Sequence, residues 1–92
     1  MSTITAMHDP YESIDLKPLI VRALRTARER TGLSQDRLAA RAGISTRYYQ
    51  SIEAGENLPS IEILFKLAAA FQCSYTDILD PIWLYWQEQR KN

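Results

Sequence analysis

Cysteine and histidine are nearly absent from this 92-residue sequence, which contains only Cys73 and His8. One residue of each type provides neither a disulfide nor the four side chains of a structural zinc site. Paired carboxylates, a nucleophile with a neighbouring base, and a phosphate-binding loop cannot be assembled from the sequence either. The sequence therefore predicts a protein that is not an enzyme and that holds no metal and no cofactor.

Long apolar runs and targeting signals are also missing. Apolar stretches such as IWLYW are far shorter than the roughly 20 residues of a membrane-spanning helix. Residues 1–14 lack the basic start and the apolar centre of a signal peptide. A single cysteine fits a reducing compartment. We therefore expect a cytoplasmic protein with no membrane partner.

Glycine is scarce, and none occurs before Gly32. Gly32, Gly43 and Gly55 each follow a helix-like run, where glycine tolerates the left-handed conformation that ends a helix. No stretch shows the strict alternation of polar and apolar residues that is typical of β-strands. These features predict an all-α fold of five or six short helices.

Capping residues and apolar periodicity predict where the later helices lie. Pro81 is typical of a first helical turn, so we expect a separate last helix from Pro81 to about Lys91. The predicted capping residues are Ser34, Ser45, Ser60 and Ser74, the last in a capping box with Asp77. The predicted inner residues of the fourth helix are Ile61, Leu64, Phe65, Ala68 and Phe71.

Charge is unevenly distributed along the chain, although the net charge is zero. Residues 17–47 carry eight basic and two acidic side chains, a net charge of +6, between two acidic segments. A basic segment can be a solvated helix face, so it indicates a nucleic-acid partner only where a DNA-reading motif overlaps it. We expect a flexible acidic tail over 1–14, a helical domain over 15–80 that would bind DNA if such a motif lies in it, and an aromatic C-terminal segment over 81–92.

The second and third predicted helices have the layout of a helix-turn-helix, two short helices joined by a tight turn that contains glycine. The run LSQDRLAARAGISTRYYQSIEAG resembles the helix-turn-helix of the lambda repressor and Cro type, which includes the Xre-like bacterial regulators. The shared pattern is Gln at the start of the second helix, Leu-Ala inside it, Gly-Ile-Ser at the turn and Ile-Glu-x-Gly at the end of the third helix. The resemblance implies a compact five-helix, lambda-repressor-like domain with a short C-terminal helical extension.

The same resemblance implies a sequence-specific transcriptional regulator that reads palindromic operator DNA with helix 45–54 in the major groove. Its base-reading positions fall on Thr46, Arg47 and Ser51 in this sequence. Arg47 is the strongest candidate because a guanidinium can bond both O6 and N7 of guanine, and a phosphate contact is the alternative. The positions for DNA backbone or rim contacts are Gln35, Ser45, Tyr48, Gln50 and Asn57.

The attachment of the third helix to the domain involves two further expectations. The resemblance implies a structural ion pair between Arg28, on the first helix, and Glu53. Helical geometry places Tyr48 and Tyr49 equally close to the inward direction of Ile52, so periodicity does not choose between them. The resemblance places Tyr49 in the core, with its hydroxyl directed to a partner or water, and Tyr48 at the rim of the DNA face.

Aromatic residues are concentrated near the C-terminal end, where five apolar residues follow one another in PIWLYWQEQRKN. A helix there is apolar on every side, and a small domain cannot bury all of them. Because Trp and Tyr are common interface anchors, we expect a homodimer through Ile82, Trp83, Tyr85 and Trp86, with packing on the fifth helix as the alternative. A rival function is an antitoxin or other protein-interaction module that also binds its own promoter, with a toxin as partner.

Overall fold

The fold consists of five α-helices in the part of the chain that the computed structural model describes, residues 15–90. No strand occurs in this range, so the all-α prediction is confirmed. The acidic segment 1–14 and the last two residues lie outside the described residues. The helices are α1 (Lys17–Thr31), α2 (Gln35–Ala42), α3 (Thr46–Glu53), α4 (Ile61–Phe71) and α5 (Tyr75–Arg90).

The predicted capping serines begin four of these helices. The hydroxyls of Ser34, Ser45 and Ser60 accept hydrogen bonds at 3.2, 3.0 and 3.1 Å from the backbone N–H three residues further on. Before α5, the carboxylate of Asp77 accepts the backbone N–H of Ser74 at 2.9 Å, as in the predicted capping box, while the Ser74 hydroxyl accepts the N–H of Thr76 at 3.2 Å in place of that of Asp77. Each cap supplies a partner to an N–H group that has none within its helix, which fixes where the helix starts.

Gly43 makes the tight turn between α2 and α3. Its φ angle is 76°, a left-handed conformation that costs about 1–2 kcal/mol for residues with a β-carbon. Its backbone N–H bonds the carbonyl of Ala40, and the N–H of Ile44 bonds the carbonyl of Ala39. Gln72 ends α4 in the same left-handed conformation, with a φ of 62°. The residue there is not a glycine, so the sequence did not predict a left-handed conformation at this position.

The core lies where the helices meet, and every helix contributes to it. α2 packs against α3 and α4, while α1 packs against α3, α4 and α5. This arrangement holds α3 on one side only and leaves its other side at the surface. The largest fully buried side chains are Leu24 on α1, Leu38 on α2, Tyr49 and Ile52 on α3, and Leu67 on α4.

The inner side of α4 differs from the sequence prediction. Ile61 is 64% exposed and Phe65 is 49% exposed, whereas Leu67 is fully buried. α4 is apolar on more than one face, so two different stripes have helical spacing and periodicity alone does not distinguish them. Packing against α2 selects the stripe that contains Leu64, Leu67, Ala68 and Phe71.

The expected break at Pro81 is also absent, because α5 continues through this residue. Pro81 lacks an N–H and cannot bond the carbonyl of Asp77, which ordinarily disfavours a helix interior. Ile78 and Ile82 flank it four residues apart on one helix face, and both are buried. Burial of these two side chains against the domain requires the helix to continue, so the C-terminal extension is the second half of α5.

Candidate nucleic-acid interface

α3 has one buried face and one exposed face. Tyr49, Ile52 and Glu53 point inward and are almost completely buried. Arg47 and Gln50 point the other way and are exposed. The helix that the sequence assigned to DNA reading is therefore held on one side and open on the other.

Arg28 and Glu53 join α1 to α3 through a bidentate ion pair. The Arg28 Nε lies 2.7 Å from Glu53 Oε2, and its Nη2 lies 3.0 Å from Oε1. A third guanidinium nitrogen, Nη1, donates to the carbonyl of Leu33 at 3.1 Å. The carboxylate is 2% exposed and the guanidinium side chain 17%, so water does little to screen their attraction.

Tyr49 and Gln35 complete the hydrogen bonding of the Glu53 carboxylate. The Tyr49 hydroxyl donates to Oε2, and the Gln35 Nε2 donates to Oε1 at 3.0 Å. Tyr49 lies in the core, and its hydroxyl bonds Glu53 instead of an external partner or water. Tyr49 and Glu53 are four residues apart on one side of a helix, a spacing from which this bond could have been inferred. We call Arg28, Gln35, Tyr49 and Glu53 the carboxylate network.

The protonation states within this network follow from burial and hydrogen bonding. Burial raises the pKa of Glu53, but the bonds from Arg28, Tyr49 and Gln35 outweigh it and bring the pKa below its ordinary value. Burial, reinforced by the bond to Glu53, raises the pKa of Tyr49 far above its ordinary value. The hydrogen bond to Glu53 also raises the pKa of Arg28. The network therefore contains an ionised carboxylate and donors that keep their protons.

Gln35 connects this network to the exposed face of α3. The Gln50 Nε2 donates to Gln35 Oε1 at 3.2 Å, while Gln35 itself donates to Glu53. Gln35 is half-buried at the start of α2, and one hydrogen of its amide remains for an outside acceptor. The bond between the two glutamines was not predicted from the sequence, because it depends on how α3 crosses α2.

Thr46 and Ser45 lie at the start of α3. The Thr46 hydroxyl donates to the carboxylate of Asp36 on α2, so it is occupied inside the domain. Asp36 was missed in the sequence, where an acid in a first helical turn is explained by the helix dipole alone. Ser45 is exposed, and its hydroxyl caps α3 by accepting the backbone N–H of Tyr48.

Ser51 and Asn57 hold the loop that follows α3. The Ser51 hydroxyl donates to the carbonyl of Tyr48 at 2.6 Å and accepts from the Asn57 Nδ2 at 2.8 Å. The backbone N–H groups of Glu56 and Asn57 both bond the Ser51 carbonyl, at 2.9 and 3.3 Å. Tyr48 is half-buried and packs on the core, whereas Asn57 is exposed.

Arg47 differs from its neighbours on this face. Its guanidinium makes no hydrogen bond or ion pair with any other residue in the described range 15–90. Thr46, Ser51, Gln35, Gln50 and Asn57 are all bonded within the domain. Arg47 therefore keeps all its donors for a partner outside the protein.

The residues that the sequence assigned to a dimer interface are not all at the surface. Ile82 is buried, with 7% exposure, because it packs into the domain's own core. Trp83 and Tyr85 are about half exposed. The rings of Trp83 and Trp86 stack with their centroids 5.4 Å apart and an interplanar angle of 16°. The exposed side chains of this segment, Trp83, Leu84 and Tyr85, lie on different sides of α5, and Ile82 is not among them.

Comparison with known proteins identifies this architecture. A family model for the helix-turn-helix matches residues 24–78, which include the whole of α2, α3 and α4. The chain belongs to this helix-turn-helix family. Its members are DNA-binding transcriptional regulators of the Xre and lambda repressor type, as the resemblance implied.

Two relatives support the assignment, and one solved structure shares the fold. The uncharacterized HTH-type transcriptional regulator y4dJ of Sinorhizobium fredii is 31% identical over 68 residues, which cover 74% of this chain and 88% of the relative. The HTH-type transcriptional regulator SlrR of Bacillus subtilis is 35% identical over 63 residues, which cover 67% of this chain but only 41% of SlrR. The crystal structure of the hypothetical transcription factor NHTF from Neisseria superposes with a TM-score of 0.67 over 85% of this chain and 86% of that chain. At 23% identity, this last similarity is one of fold.

Residues 15–90 contain neither a membrane span nor a metal cluster. No helix in this range is both long and apolar enough to cross a membrane. The range contains no cluster of three or more histidine, cysteine or acidic side chains with the arrangement of a metal site. The exposed face of α3, with Arg47 and Gln50, is the candidate nucleic-acid interface.

Proposed function

We propose that this helix-turn-helix protein binds palindromic operator DNA as a homodimer and reads the sequence with α3 in the major groove. The observation that carries the proposal is that α3 has one buried, hydrogen-bonded face and one exposed face. The carboxylate network fixes the inner face, while Arg47 and Gln50 remain exposed on the outer face. An α-helix fits a major groove that is about 12 Å wide, so the open face can approach the base edges.

Arg47 is proposed as the principal base-reading residue. A guanidinium that reaches O6 and N7 of guanine contributes about 1–3 kcal/mol of discrimination against other bases. Thr46 and Ser51 already donate their hydroxyl hydrogens inside the domain, so their oxygens can only accept. In this arrangement Thr46 and Ser51 suit the amino groups of cytosine or adenine, and only Arg47 suits guanine.

The DNA backbone contacts are proposed at the starts of α2 and α3 and in the loop after α3. Gln35 retains one amide hydrogen for a phosphate, and the N-terminus of α2 carries a partial positive charge that favours an anion. Ser45, Gln50 and Asn57 are exposed as well, and Gln50 is bonded to Gln35. Tyr48 is proposed as a contact at the rim, where its half-buried ring supports the neighbouring side chains. These contacts fix the position of α3 on the duplex but do not read its sequence.

The proposed dimer forms through one side of α5. Tyr75, Leu79, Trp83 and Trp86 recur at spacings of four, four and three, which places them on a single helix face that we call the α5 stripe. Phe65 on α4 extends it, because its ring centroid lies 5.2 Å from that of Tyr75. A twofold dimer presents two reading helices about 34 Å apart, which matches operator half-sites separated by one DNA turn.

The test of this function is selection of bound sequences from a pool of random DNA duplexes at moderate salt. The expected result is a palindromic consensus with half-sites one helical turn apart. A variant with Gln50→Ala and Arg47→Ala is the matched control, because it keeps the carboxylate network and should recover a consensus that lacks the guanine read by Arg47. If the intact protein also recovers no palindrome, the proposed function is wrong.

A further inference from the structure

A groove runs between α1 and α5, and none of its lining residues belongs to the α5 stripe. Its volume is about 550 Å³. This value falls within the range of about 300–1,000 Å³ that is usual for sites of small organic molecules. The groove is therefore large enough for a small ligand, and it is separate from both the DNA face and the proposed dimer surface.

Small residues on α1 create the groove. Leu19, Ala23 and Ala27 are spaced four residues apart and form one wall, opposite Ile78 and Ile82 of α5. Larger side chains at the two alanine positions would fill the space between the helices. The inner surface of the groove is therefore apolar. It stays open because Ala23 and Ala27 carry only methyl groups, where a tightly packed helix interface would have larger side chains such as leucine.

A second row of α1 residues gives the groove a positively charged rim. Arg22, Thr26 and Arg30 are also spaced four apart, and all three line the groove. Neither guanidinium forms an ion pair or hydrogen bond with another side chain in residues 15–90. The acid in the lining is Asp77, whose carboxylate caps Ser74 at 2.9 Å. Two cations against one anion leave the rim with a net positive charge.

We propose that this groove binds a small molecule with an apolar body and one carboxylate. The body would lie against Ala23, Ala27 and Ile82, where it removes apolar surface from water. The carboxylate would pair with Arg22 or Arg30, since charged hydrogen bonds with a guanidinium are among the strongest that proteins form. An apolar floor with a few charged groups at its edge is the usual construction of a site for such ligands.

The position of the groove also gives the ligand a role in regulation. α1 carries Arg28, which holds α3, and α5 carries the stripe through which we propose that the protein dimerises. A ligand between these two helices contacts both supports of the DNA-reading unit, so it changes operator affinity. This regulatory part rests on the proposed function, whereas binding of the ligand does not.

Binding is tested on the full chain by calorimetry with 2-naphthoate and decanoate, each compared with its uncharged amide. We expect each carboxylate to bind at least about tenfold more tightly than its amide. Cys73, the sole cysteine, lines the groove, so bound carboxylate should also slow its alkylation by iodoacetamide. Equal affinities for acid and amide, or no protection of Cys73 at millimolar ligand, would overturn the proposal.

Substitutions locate the binding site. Ala27→Leu should fill the groove and abolish binding, and Ala23→Leu provides a second test should the first variant fail to fold. Arg22→Gln or Arg30→Gln should remove the preference for the carboxylate, while Arg37→Gln on α2, outside the groove, should leave it unchanged. Binding that persists in a folded Ala27→Leu protein would place the ligand elsewhere and contradict the proposal.

The regulatory part has its own readout. Operator affinity of the intact chain is measured with and without saturating 2-naphthoate, with Ala27→Leu as the control that should not respond. Calorimetric binding without any change in operator affinity would contradict the regulatory part. If the protein proves not to bind operator DNA, the calorimetric result for ligand binding still stands, because that measurement contains no DNA.

Discussion

The carboxylate network and the α5 stripe differ in the burial of their side chains. Glu53 is buried, and both of its oxygens accept hydrogen bonds from residues of three helices. Trp83, in contrast, is 52% exposed, and its neighbours on the stripe are aromatic or aliphatic. The network needs nothing from outside the domain, whereas the stripe leaves apolar surface in water. The comparison indicates that the network fixes α3 internally, and the exposed stripe is the surface on which the proposed dimer depends.

Removal of Arg28 should have the largest effect on folding. Arg28→Ala leaves the Glu53 carboxylate buried without its cation, and loss of one partner of a buried ion pair costs about 3–5 kcal/mol. Urea unfolding followed by circular dichroism measures this free energy. A small destabilisation would show that the buried pair resembles a surface pair.

Arg25→Ala provides the matched control for the network. Arg25 Nε lies 3.7 Å from the same Glu53 carboxylate, but the Arg25 side chain is 53% exposed. Solvent-exposed ion pairs contribute about 0–1 kcal/mol, so the unfolding free energy should hardly change. Equal losses for Arg25→Ala and Arg28→Ala would contradict the distinction between buried and exposed partners.

Truncation of the α5 stripe should affect assembly but not folding. Replacing Trp83 and Trp86 together with alanine should raise the dimer dissociation constant by more than about 30-fold, the effect of losing one interface hot spot of about 2 kcal/mol. Analytical ultracentrifugation measures this constant, and Leu84→Ala is the control because Leu84 is exposed on another side of α5. An unchanged dissociation constant would show that the dimer interface lies elsewhere. If the intact protein is itself monomeric, the proposed homodimer is wrong and the stripe would have to bind a different protein.

Acid should weaken the carboxylate network in a defined direction. The pKa of Glu53 is lower in the folded than in the unfolded state, so its stabilisation is complete above the ordinary Glu pKa of about 4.3 and is lost as pH falls towards the folded pKa. Glu53→Gln removes this titration and should flatten the decline in stability below that pH. The unfolding free energy lost on protonation of Glu53 should be smaller than the loss caused by Arg28→Ala, because a protonated carboxyl still forms hydrogen bonds. If the unfolding free energies of the intact protein and of Glu53→Gln decline in parallel as pH falls, this role of Glu53 is wrong.

Much of the fold could be predicted because it depends on local signals. Capping serines identify the starts of α2, α3 and α4, and the left-handed Gly43 marks the turn between α2 and α3. These features involve residues within four positions of one another, so a single sequence displays them. The left-handed Gln72 had no such signal.

The remaining features depend on contacts between distant parts of the chain. The exposure of Phe65 and the burial of Ile82 were settled by packing between helices, which periodicity does not specify in segments that are apolar on several sides. The bonds from Gln50 to Gln35 and from Thr46 to Asp36 depend on how α3 crosses α2. The structure thus shows that hydroxyl and amide groups expected to face DNA also hold the two helices together.

The role of Arg47 is tested most directly by one set of binding measurements. Dissociation constants of the intact protein and of Arg47→Ala are determined for the selected operator and for each of its single base-pair variants. We predict that the intact protein loses about 1–3 kcal/mol at one G·C pair in each half-site and that Arg47→Ala no longer distinguishes that pair while it still discriminates at the others. Uniform weakening of every sequence by Arg47→Ala would contradict base reading by the open face of α3.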